Sequence, residues 1–120
     1  MTEAAIQQPD MQRLAEVAAR VEASLAMFTR LGLTTTAADR EQYTAEVVSR
    51  CRTARDRGTI PGAWSTGEQL LVALVLYDAD HLAALDYTPQ QAHERVYGDL
   101  PIRMSPRQYL AWLNDLRVAT

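Results

Sequence analysis

At 120 residues the chain has the length of one domain, and its 48% apolar content is enough to bury a single core without staples. Its lone cysteine, Cys51, excludes an internal disulfide or a Cys-based zinc knuckle and points to a reducing, cytoplasmic setting. A formal charge of −3 argues against a dedicated nucleic-acid domain, which carries a basic excess.

The N-terminus lacks the pattern of a secretory signal. The longest apolar run, Leu70 to Tyr77, falls well short of the roughly 20 residues a membrane span needs. All twelve basic residues are arginine, the usage of a GC-rich genome, so every cation is a planar fork suited to carboxylate or phosphate. Residues 1–58 hold eight acids and eight arginines, whereas residues 59–120 hold seven acids and four arginines. The charge deficit therefore lies entirely in the second half.

Residues 1–8 read as a flexible tail, and residues 9–120 as one helical domain. From Pro9 or Asp10, apolar residues at Leu14, Val17, Ala18, Val21, Leu25 and Phe28 follow the three-and-four spacing of one helix face. Gly32 suits the end of that helix. Leu14, Val21 and Phe28 also recur at sevens, which makes them the expected seam of a homodimer if this helix pairs.

Four later phrases mark helix starts: Thr36-Ala37-Ala38-Asp39, Ser65-Thr66-Gly67-Glu68, Thr88-Pro89-Gln90-Gln91 and Ser105-Pro106-Arg107-Gln108. Each sets a hydroxyl at the N-cap and an acid or amide three residues on, so the two side chains can satisfy each other's free backbone N–H groups. In the last two, proline fits the first helical position.

The second helix is predicted over about 37–57, with Tyr43, Val47, Cys51 and Ala54 buried and Gly58 closing it. Arg50, Arg52, Arg55 and Arg57 crowd its last two turns. Cations there complement the helix dipole; as a functional alternative they form a phosphate-contact patch. Residues 60–64 form a loop, and Trp64 is expected to fold over the start of the third helix, or to anchor a partner if exposed.

The third helix, about 66–85, is apolar on every side from Leu70 to Tyr77, so partners must bury it all round. Polarity returns at Asp78-Ala79-Asp80-His81, where an end or a bend is expected. A short helix from Pro89 to about Tyr97 and Gly98 follows. The last helix, Pro106 to about Val118, buries Tyr109, Leu110, Trp112, Leu113 and Leu116 wholly or in part, with Met104 and Tyr109 placed for a hydrophobic staple. The predicted architecture is all-α, a compact bundle of about five helices around a buried central third helix.

No phosphate loop, nucleophile elbow or zinc helix is present in the sequence. Asp78 and His81 share a helix face, but the residues needed where polarity returns after a buried run explain them without a metal. Neither a cofactor nor a metal is expected.

The run from Trp64 to Leu76, followed by Leu85-Asp86-Tyr87-Thr88-Pro89, resembles a pattern in small helical proteins of GC-rich actinobacteria and their phages. It covers about a fifth of the chain. Those proteins have no agreed activity, so the resemblance implies an origin and assigns no functional residue.

The expected function is a non-enzymatic protein–protein interaction module, in the phage-like setting a modulator of a host protein. Its expected contacts are Leu14, Val21 and Phe28 if the first helix pairs, and Trp64 with Trp112 if the aromatic residues are exposed. The alternative is a DNA-binding regulator with a helix-turn-helix-like C-terminal pair. Arg103, Arg107 and Gln108 would read bases there, and Arg50, Arg52, Arg55 and Arg57 would contact phosphates from one shared face.

Overall fold

Capping chemistry sets the helix boundaries. The structure, a computed structural model, describes residues 8–30 and 37–120, without the side chains of residues 24–30 and 37–38. Its helices are α1 (Met11–Arg30), α2 (Ala37–Arg57), α3 (Thr66–Val75), α4 (Ala79–Ala84), α5 (Pro89–Asp99) and α6 (Pro106–Ala119). No strand occurs among the described residues, so the fold is all-α. None of these helices is long and apolar enough to cross a membrane.

Ser65, Thr88 and Ser105 each close a full capping box, with Glu68, Gln91 and Gln108 as the reciprocal partners. The fourth phrase begins at Thr36, outside the described residues, as do residues 1–7 of the expected tail. Asp10 supplies the start of α1, accepting from the backbone N–H groups of Gln12 (2.9 Å) and Arg13 (3.3 Å). Ser105→Ala should remove about 1 kcal/mol of stability in urea unfolding. A loss of only a few tenths would mean that the first turn of α6 frays independently of the core.

Three helices end in the same way. After α2, α3 and α4, the N–H of a left-handed residue and the N–H of the next residue turn back onto the carbonyls of the last turn. The left-handed residues are Gly58, Tyr77 and Asp86, with φ of 76°, 56° and 63°. At Tyr77 the bonds are Tyr77 N–H to the Leu74 carbonyl and Asp78 N–H to the Ala73 carbonyl. Gly58 makes this turn without strain, while Tyr77 carries a Cβ in a region that disfavours it.

The turn at Tyr77 divides the expected third helix in two, giving six helices. The break comes just before the polar run, and Asp78 then caps α4 by accepting from the His81 N–H at 3.0 Å. A helix continued through Asp78 and Asp80 would carry acids along its buried course, which the reversal avoids.

Every residue of α3 from Gln69 to Val75 is buried by the chain itself, against α2, α4, α5 and α6. That settles how an all-apolar helix is covered: no second molecule is needed. Val47, Cys51 and Ala54 close one side, and Tyr109, Trp112, Leu113 and Leu116 another. α1 lies across α5 and α6 with Leu14 and Val17 inward. Gly98 falls within the last turn of α5; a Cβ there would stand 3.3 Å from Val17 Cγ1, so its bareness lets the two helices approach.

Candidate interaction surface

The expected contact residues divide by burial. Leu14 is 0% exposed inside the α1, α5 and α6 seam, and Trp112 is 7% exposed. Trp112 stacks on Tyr43 with ring centroids 5.9 Å apart and donates its indole N–H to Thr44 Oγ1 at 2.9 Å. Trp112 is thus covered, as the spacing of the last helix predicts, and the condition under which it would anchor a partner is not met. Leu14, expected on a seam between copies, has no apolar area left for one. Val21 and Trp64 are half-buried against the core, and the Phe28 side chain lies outside the description.

The arginines of α2 do not form one patch. At roughly 100° per residue, Arg50 and Arg57 fall on one face and Arg52 and Arg55 on the opposite one. Arg50 pairs with Glu68 at 3.1 Å and Glu46 at 3.8 Å, tying α2 to the start of α3. Arg52 donates to the Ala119 carbonyl at 2.8 Å, at the C-terminal end of α6. The shared phosphate-facing side expected of a DNA reader is therefore absent from this helix.

The proposed base readers are similarly engaged. Arg103 pairs with Glu22 of α1, and its carbonyl accepts from Arg40 of α2 at 2.8 Å, so it fastens three elements together. Gln108 serves the capping box; Arg107 is exposed. The connection between α5 and α6 buries Ile102 and Met104, and the Met104 carbonyl accepts from Tyr97 Oη at 2.7 Å.

His81, weighed with Asp78 as a metal pair, is tied into the fold by Gln69. Gln69 donates to the Trp64 carbonyl at 2.8 Å, and its Oε1 lies 2.8 Å from His81 Nε2. Since the Gln69 amide nitrogen faces a carbonyl, His81 must be the donor in that second contact. Among the described residues no three His, Cys, Asp or Glu side chains converge on a metal-sized space. Burial pushes the Cys51 thiol up to about 11, against the lowering effect of Arg50, so it stays protonated and inert at neutral pH.

One feature escaped sequence reasoning. Tyr77, on its left-handed residue, is 45% exposed, and the Arg117 guanidinium lies 4.2 Å from the centre of its ring. Arg117 also donates to the carbonyls of Leu74 (3.0 Å) and Val75 (3.3 Å), capping the C-terminal end of α3, and to Asn114 Oδ1 (3.2 Å). Beside this pair is a shallow depression whose lining includes Pro9, Leu110, Leu113 and His93.

No protein-family model, curated protein or solved structure matches the chain. The site must therefore be read from its own geometry.

His93 is 2% exposed, and its Nδ1 lies 2.8 Å from Tyr109 Oη. Tyr109 is fully buried, so its hydroxyl proton needs an acceptor, and His93 Nδ1 is the one in reach. The imidazole proton then sits on Nε2. No buried side-chain nitrogen or oxygen among the described residues lacks a partner. Nε2, which has no protein partner, is accordingly the His93 atom that reaches the depression. Burial, reinforced by the Arg117 guanidinium, holds His93 down to about 4, so it is neutral at physiological pH.

The sequence signal for this site was weak. His93 and Arg117 are separated by 24 positions on different helices, and nothing local marks Tyr77 as a turn residue.

Proposed function

We propose that the chain is a protein-interaction module whose contact surface centres on Tyr77 and Arg117. One observation carries the reading: a large aromatic residue is held outward on a disfavoured backbone conformation, braced by an arginine. Tyrosine and arginine are among the residue types most enriched where binding energy concentrates. The bracing bonds restrict both side chains before a partner arrives, which lowers the ordering cost of association. Strained positions of this kind cluster at functional sites. In the setting implied by the phage-like pattern, the partner is a host protein.

The DNA-reading alternative receives less support, because Arg103 and Gln108 are tied into the fold and the α2 arginines face opposite ways. Affinity isolation of the tagged protein from a host lysate, split into nuclease-treated and untreated halves, tests the two readings together. The expected result is one discrete protein retained in both halves. Partners lost on nuclease treatment, or no discrete partner at all, would overturn the interaction reading.

A further inference from the structure

We propose that the depression beside Tyr77 receives a carboxylate side chain of an acidic partner segment, gripped by Arg117 and the His93 imidazole. The inference deepens the interaction reading and rests on it. It starts from donors without acceptors. Of the five guanidinium N–H groups of Arg117, three are engaged by Leu74, Val75 and Asn114, leaving two. His93 adds the Nε2 proton, presented by a ring that is otherwise sealed in the core and fixed by Tyr109.

No acidic side chain lines this depression, so the site offers positive charge and hydrogen-bond donors with no internal counterion. A buried imidazole N–H held beside a guanidinium is chemically matched to an anionic acceptor. The walls supply the rest of the fit. Leu110 and the Tyr77 ring border the donors, where the methylene groups of a glutamate side chain would lie while its carboxylate reaches inward. The free space beside the donors is only about 10 Å³, room for one carboxylate oxygen while the rest of the group stays at the mouth, and too little for a bulky headgroup.

Nuclear magnetic resonance on the isotopically labelled protein, titrated with acetylated and amidated tetraglutamate, tests this directly, with tetraglutamine as the control peptide. The expected result is saturable shifts confined to the surroundings of Tyr77, His93, Leu110 and Arg117, seen with tetraglutamate alone. A bound carboxylate should also raise the His93 pKa by about half a unit or more, a change that simple crowding would not produce.

Tyr77→Asn should weaken tetraglutamate binding at least about fivefold while keeping the helical signal, because asparagine tolerates the left-handed turn. Leu110→Glu, at the rim, should weaken it comparably through like-charge repulsion. No shifts, equal shifts with tetraglutamine, or full affinity in both variants would overturn the proposal. Affinity isolation with Tyr77→Asn separates the two failures. A discrete partner held equally by variant and wild type would sink this surface and leave the interaction reading standing, whereas no discrete partner for either protein would sink the reading itself.

Discussion

Acidification from pH 6.5 to pH 4 is expected to remove about 3 kcal/mol of stability, most of it through His93. In the folded protein burial, then Arg117, holds this imidazole down to about 4, against an ordinary value of 6.5. Between those values the unfolded chain binds a proton at His93 and the folded one does not. The unfolded state is therefore favoured progressively as pH falls, and the full contribution is present only above about 6.5.

The groups facing His93 explain the direction. Tyr109 Oη gives its proton to Nδ1, so an imidazolium would have to displace that proton inside the core, and Arg117 repels the new charge. Glu68, held low chiefly by the Ser65 backbone N–H, shifts the same way but acts only below the ordinary value of 4.5. Urea unfolding across pH 4–7 reads the effect, and His93→Gln should flatten the upper part of the curve. An unchanged slope in that variant would place the acid sensitivity elsewhere.

Leu74→Ala should cost about 3–5 kcal/mol at neutral pH, enough to unfold a large share of a marginally stable domain. Leu74 is fully buried in the helix that the others surround, and neighbours on several sides leave little room for collapse into the vacated space. Val118, 88% exposed on α6, provides the control: Val118→Ala should stay within about 0.5 kcal/mol. Comparable losses at the two positions would mean that α6 packs differently.

The capping phrases and the apolar stripes were legible because both are local. A hydroxyl and an amide three residues apart announce a helix start wherever the helix lies, and burial at Val47, Cys51 and Ala54 follows from spacing alone. The centrality of α3 was legible too, since no polar face was left to meet water. The return of polarity at Asp78 announces an end or bend, but not its exact residue, because turns of this kind are signalled by glycine and here the left-handed residue is a tyrosine.

The site was less legible for a related reason. His93 and Arg117 each look ordinary in their own helix; only the crossing of α5 and α6 gives them a common opening. Trp112 reads as buried from its spacing, but sequence cannot show that Tyr43 and Thr44, nearly seventy residues earlier, are what cover it.

The lie of α1 across α5 and α6 has a consequence for synthesis. A ribosome releases residues 11–30 well before residues 89–119, which make the surface that covers Leu14 and Val17. During translation α1 must wait, its apolar stripe open to water or to a chaperone, until α5 and α6 have emerged. Closing so long a loop is slow. Conditions that stall translation past α3 would therefore strand a product with α1 undocked, a natural substrate for quality control.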